Sequence, residues 1–208
     1  MLETTPEIHL NLHDVKTQFG LEEIRDDEQF FTEWMYDLPS LTEEEKKQLD
    51  RVKASFLNLA EYPMLEDAVK MVVLSPLLNL AGFYLPPFRI TTQQQVQISD
   101  EDHGIIVKGK IDILVVKNKL WVLVIESKAL GFSLEVGMAQ LLAYMLANNN
   151  DKPTFGIVTN GREFQFIKLI KEQNLKYALS DSFDLRDRGN KLYTVLSVFK
   201  RLALILSE

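Results

Sequence analysis

The chain has 208 residues, 46% of them hydrophobic and 25% charged, with no cysteine and a formal charge of -7. That is the make-up of a globular protein with a sizeable core, and it excludes a disulfide framework, a thiolate metal site and a thiol nucleophile. The negative charge argues against a generic nucleic-acid coat, which would carry an excess of Lys and Arg; however, 11 acidic and 4 basic residues lie between Leu21 and Arg51, which leaves 19 of each elsewhere.

The opening "MLETTPEIHLNLHD" has neither the basic nor the apolar region of a signal peptide, and no apolar run is long enough to span a bilayer. A cytoplasmic protein with no membrane association is expected. "LEEIRDDEQFFTEWMYDL" spaces Ile24, Phe31 and Trp34 as a helix would, and "LPSLTEEEKKQLDRVKASFLNLAEY" predicts a second helix capped by Thr42, with Glu43, Glu44 and Glu45 favoured by its dipole. The acidic run reads as a solvated helix face. A third helix, "PMLEDAVKMVVLSPLLNLAGF", starts at Pro63 and stops before Gly82, with Pro76 expected to bend or break its last turns. Residues 1–62 are therefore read as an acidic helical extension and 63–208 as the main domain.

The period then changes. Phe88 to Ile98 reads as a strand, and "GIIVKGKIDILVV" with "KLWVLVIESK" as two strands joined at Lys117, Asn118 and Lys119. "SLEVGMAQLLAYMLANN" is a helix with Ser133 as N-cap and a stop at Asn148 to Asn150, and "TFGIVTNGREFQFIKLI" is a hairpin turning at Asn160-Gly161. A last helix runs from about Gly189 to Leu206. No Walker-type glycine loop is present, so an ATP motor within these residues is not expected.

"VLVIESKALG" ends an apolar strand with Glu126 and Lys128, two of the residue types that a buried strand least tolerates. Strand alternation puts both on one side, and puts Asp112 beside Lys110 on a face of the preceding strand. If the two strands pair across their turn, both carboxylates can lie on one face. Buried like charges repel unless a cation joins them, and a hard divalent ion suits carboxylate oxygen.

Asp, strand-turn-strand, then Glu-x-Lys, here "KGKIDILVV" and "VIESK", resembles the catalytic motif of the PD-(D/E)xK nuclease superfamily, with Ile111 where the motif name has Pro. "LEDAVKMVVLSPLLNLAGF" resembles the opening of the N-terminal nuclease domain of type I restriction R subunits, where an acidic residue, here Glu66, precedes Pro-Leu-Leu and Gly. "AQLLAY" supplies Gln140 and Tyr144, similar to the Gln-x-x-x-Tyr motif of a subset of these nucleases, and "VTNGREFQF" resembles the hairpin that follows. The likeness covers roughly Leu65 to Lys168.

That resemblance implies an α/β fold, a restriction-endonuclease-like mixed β-sheet flanked by α-helices, and a metal-dependent DNA endonuclease without the helicase motors of a full R subunit. It implies Mg2+ or Mn2+ held by Asp112, Glu126 and the carbonyl of Ser127, with Glu66 ligating a second ion or a metal-bound water. Lys128 would stabilise charge on the phosphorane or orient the attacking water, and Gln140 and Tyr144 would position the phosphate backbone. The partners implied are DNA and a protein that supplies a motor or specificity. The competing reading is a non-catalytic scaffold that keeps the fold and docks through its acidic helices. His9, His13 and His103 have no spacing that converges on an ion. Lys108, Lys110, Lys117 and Lys119 read either as a modest phosphate-binding patch or as ordinary lysines flanking a turn.

Overall fold

The structure, a computed structural model, describes residues 11–100, 105–118, 120–148 and 152–207. His9, His103, Lys119, Asn149 and Asn150 lie outside them, as does the side chain of Lys108. Helix α1 (Leu12–Phe19) starts where the Asn11 side chain accepts from the Asp14 N–H at 2.8 Å and ends at Gly20, whose φ of 62° an L side chain would resist. Strand β1 (Glu22–Glu23) follows.

The helix expected over "LEEIRDDEQFFTEWMYDL" does not form; residues 24–41 are turns, bends and irregular chain. The Ile24 N–H extends the strand by donating to the Tyr177 carbonyl at 2.8 Å. Asp27 then turns the chain, its carboxylate accepting from the Gln29 N–H at 2.9 Å and its carbonyl from the Phe30 N–H at 3.1 Å. Such local side-chain acceptors compete with helical bonding. Phe31 is nonetheless buried, so the apolar spacing reported burial and not a helix.

Helix α2 (Glu43–Leu59) is capped as expected: Thr42 Oγ1 accepts from the Glu45 N–H at 3.2 Å while the Glu45 carboxylate accepts from the Thr42 N–H at 2.7 Å. The third predicted helix becomes α3 (Glu66–Val69), a π turn over Lys70–Leu74, and α4 (Ser75–Leu80). Proline has no N–H and its ring clashes with the carbonyl four residues back. The chain answers by widening the turn before Pro76, so that the Ser75 N–H donates to the Lys70 carbonyl, five residues back.

Strands β2 (Phe88–Asp100), β3 (Ile105–Lys117) and β4 (Leu120–Ser127), helix α5 (Leu134–Leu146), strands β5 (Thr154–Thr159), β6 (Glu163–Lys171), β7 (Leu175–Leu179) and β8 (Phe183–Asp184), and helix α6 (Leu192–Ser207) complete the chain. The sheet runs β1-β7-β6-β5-β4-β3-β2, with β8 pairing β6. Pairs β1/β7 and β4/β5 are parallel and the rest antiparallel, so the sheet is mixed. α5 makes the crossover between the parallel β4 and β5.

Two cores lie on the two faces, which gives three layers. One joins α2, α3, α4 and α6 to the sheet through Phe56, Phe83, Phe166 and Phe199. The other joins α1 and α5 to it through Val15, Leu141 and Leu142. The α/β architecture is therefore the one expected. The acidic N-terminal segment places Phe31, Leu49, Val52 and Phe56 in the same core as α6, and its β1 is an edge of the sheet. No helix among the described residues is long and apolar enough to cross a membrane.

Candidate active site

The β3/β4 ladder runs from Lys117↔Leu120 to Ile113↔Ile125 and ends there. Two residues further along β4, the Ser127 N–H donates to the Asp112 side chain, Oδ2, at 2.8 Å, and the Ser127 hydroxyl donates to the same oxygen at 3.0 Å. A carboxylate thus takes the place of a ladder carbonyl. Simple alternation fails at this step: Ile113 belongs to the α2/α6 core, yet Ile111 joins the α5 core. Across from it on β2, Gln93 has a φ of 54°, a conformation uncommon for a residue with a side chain.

The expectation that alternation alone sets both carboxylates on one face is corrected accordingly. Glu126 stands on the α5 side, where its Oε1 accepts from Lys128 Nζ at 2.7 Å. Asp112 turns toward the end of the ladder, where its Oδ1 pairs with Lys70 Nζ at 2.7 Å and accepts from the Gln93 amide at 3.4 Å. The two remain within electrostatic reach of each other.

From Glu126 a network runs onto α5. Lys128 Nζ also donates to Gln140 Oε1 at 2.5 Å, and the Tyr144 hydroxyl bonds the Gln140 side chain and the Lys110 backbone. Two glycines make room for it. A Cβ on Gly109 would lie 2.6 Å from the Tyr144 hydroxyl, and one on Gly137 would lie 2.6 Å from Val158 Cγ2 and 3.4 Å from the Lys128 stem. Lys128 is tied from its backbone as well, its N–H donating to the Thr159 carbonyl of β5 at 2.8 Å.

Asp112 is 7% exposed, Glu126 3% and Ser127 not at all. Burial, then the charge of Asp112, push the Glu126 carboxyl up to about 7 against the pull of Lys128, and Glu66 adds to the rise. Burial and the Glu126 charge raise the Tyr144 phenol, which keeps it a donor. Burial disfavours the Lys70 ammonium, but the hydrogen bond and charge of Asp112 outweigh it and its pKa is raised.

Glu126 Oε2 is buried without a hydrogen-bond partner. Three carboxylates, those of Asp112, Glu126 and Glu66, thus stand near two ammonium groups, those of Lys70 and Lys128. Hard oxygen donors, an orphaned anionic oxygen and a negative balance fit a hard divalent cation. Among the described residues no three acidic or histidine side chains cluster closely enough to hold an ion together. Two carboxylates with waters and a substrate phosphate are the usual set for Mg2+.

The structure therefore brings Asp112, Glu126, Ser127, Lys128, Gln140 and Tyr144 into one connected group, with Glu66 at its electrostatic margin. His13 is exposed on α1. Sequence reasoning missed Lys70 and Gln93. The first carried a signal, because it follows Glu66 at the four-residue spacing of one helical face; the second carried none.

A solved structure described as the fragment structure of a putative HsdR subunit of a type I restriction enzyme from Vibrio vulnificus YJ016 is similar at 20% identity and a TM-score of 0.41, over 67% of this chain and 25% of that one. The present chain thus spans about a quarter of that structure's length. No curated protein matches the chain. The family model for the type I restriction enzyme R protein N terminus matches residues 21–175, well over half of the chain and all of the site above. The chain belongs to the family of type I restriction enzyme R protein N-terminal domains.

Proposed function

We propose that this chain is a metal-dependent DNA endonuclease that hydrolyses phosphodiester bonds at the end of the β3/β4 ladder. The observation that carries the reading is Glu126: a buried carboxylate beside Asp112, with one oxygen on Lys128 and the other without a partner. Asp112 and Glu126 would hold Mg2+ or Mn2+, with the Ser127 carbonyl as a further donor and Glu66 fixing a water or a second ion. When bound, such an ion polarises the scissile phosphate and lowers the pKa of an attacking water.

The protein's own groups do the rest. Lys128 carries a fixed positive charge, preset by Glu126 and Gln140, for the charge that grows on the phosphorane; preorganised charge of this kind costs no rearrangement at the moment of reaction. Gln140 links Lys128 to Tyr144, and Tyr144, kept protonated, would donate toward the phosphate backbone. Substrate DNA comes with its own charge requirement, and partner subunits that supply a motor and sequence choice fit a chain of net charge -7.

A binding scaffold is the second reading, and Lys70 favours it, since that ammonium already neutralises Asp112. Incubating the purified chain with supercoiled plasmid and with linear single-stranded DNA, with and without Mg2+ or Mn2+, separates the two. Metal-dependent nicking or linearisation is expected. Intact DNA with either ion leaves the scaffold ahead.

A further inference from the structure

We infer that Lys70 is a resident counter-ion that occupies Asp112 where the divalent cation would bind, so that loading the site requires its ammonium to leave. This rests on the metal reading above and adds to it a residue with a role in controlling metal entry.

The two oxygens of Asp112 are held differently. Oδ2 accepts from a backbone N–H and a hydroxyl of the same buried Ser127, at 2.8 and 3.0 Å, and that pair is fixed by β4. Oδ1 is held by Lys70 at 2.7 Å and only distantly by Gln93 at 3.4 Å. Oδ1 is thus the less tightly held oxygen of Asp112, and a cation held by Asp112 and Glu126 would meet Lys70 there, a long side chain with several rotatable bonds.

Lys70 has somewhere to go. Its Nζ already lies 3.4 Å from Asp67 Oδ1, whose side chain is 92% exposed, so a small swing trades one carboxylate for another nearer to water. The π turn sets this up. The extra residue that Pro76 forces into the turn begins at Lys70 itself, whose carbonyl takes the Ser75 N–H, and a widened turn changes the direction in which its first side chains project.

Two consequences follow from displacement. The ion binds more weakly than the bare carboxylates would allow, because each binding event breaks the Lys70–Asp112 pair. A phosphate that draws the ammonium away tightens metal binding, and by linkage the metal tightens DNA binding by the same factor.

The test is titration of the full chain with Mn2+ alone, followed through the electron paramagnetic resonance signal of the free ion, on wild type, Lys70→Met, Lys70→Gln and Lys110→Met. The last removes one exposed positive charge on β3, near the site but off Asp112, and controls for the general field. Lys70→Met is expected to bind Mn2+ about tenfold tighter than wild type, within the usual range of such couplings. Lys70→Gln should do the same, and serves if the first variant fails to fold. Lys110→Met should change affinity less than twofold. Equal or weaker binding in both Lys70 variants, or an equal gain in Lys110→Met, overturns the inference while the metal site stands. Mn2+ binding in none of the four proteins overturns the metal reading and this inference with it.

Discussion

Glu33 and Glu126 both give one carboxylate oxygen to a lysine, Lys168 at 2.6 Å and Lys128 at 2.7 Å, and both keep the other oxygen buried without a partner. Their surroundings differ. Lys168 lies 5.8 Å from the ring centre of Phe30 and 5.9 Å from that of Phe155, so the first pair sits among aromatic faces and fastens the turns of residues 24–41 to β6. The second pair has Asp112 and Glu66 for neighbours, and their charges add to burial in raising Glu126 to about 7. A partly buried glutamate with its lysine is a balanced pair and closes a seam. The same pair next to further carboxylates has charge left over, and that surplus is what an ion can take up.

The largest effect should come from the second region. Replacing Asp112, Glu126 or Lys128 by Ala is expected to cut cleavage about 1,000-fold or more while the circular dichroism stays native, since metal and charge stabilisation are each several kcal/mol of such a barrier. A Lys128→Ala protein that cleaves like wild type would remove the role given to its ammonium. The first region should answer in stability instead. Lys168→Met leaves the partly buried Glu33 unpaired, and is expected to cost about 3 kcal/mol, a fall in Tm on the order of 10 °C, with the response to metal intact. Loss of the metal response with an unchanged Tm would reverse the contrast.

A smaller effect is expected where the site is only crowded. Gly137→Ala sets a methyl 2.6 Å from Val158 Cγ2 and 3.4 Å from the Lys128 stem; about 1 to 2 kcal/mol of stability should go, with cleavage down roughly tenfold as Lys128 shifts. A fully active Gly137→Ala would show that α5 does not hold Lys128 in place. The smallest belongs to Glu23, where Arg25 leads, against burial and with Lys16 and Tyr177, in lowering the pKa to about 2 from 4.5. Between those values the unfolded chain binds more protons than the folded one, so this contribution is complete above pH 4.5 and is lost as pH falls through 2. Urea unfolding from pH 5 to 2 should steepen less with pH in Glu23→Gln, and an identical profile would assign Glu23 no such linkage.

The parts of the molecule that obey local rules were legible in the sequence. Thr42 and Glu45 form the cap their spacing predicts, Ser133 caps α5, and the turn at Asn160-Gly161 joins β5 to β6 with Gly161 at a φ of 83°. Glu126, Lys128 and Gln140 lie together where strand and helix periods carry them, with Lys128 bonded to both of the others. What depends on distant pairing was not legible. β1 pairs with β7, more than 150 residues later, and Ile24 bonds Tyr177, which no window of sequence around "LEEIRDD" reveals. Pro76 announced a break but not that it would be a π turn, and so not that Lys70 would meet Asp112. The break in alternation at Asp112, between Ile111 in one core and Ile113 in the other, accompanies the bond from Ser127 and shows in no local pattern.

The claim on which the rest depends is that the carboxylates at the end of the β3/β4 ladder take up a divalent ion. Thermal melts of wild type and Glu126→Gln, with and without millimolar Mn2+ at fixed ionic strength, test it most directly. Wild type should rise, by about 1.4 to 2.7 kcal/mol at 10 to 100 times Kd, and Glu126→Gln, which keeps the shape but gives up the charge, should stay nearly level. A wild-type melt that does not move across the Mn2+ range contradicts the account.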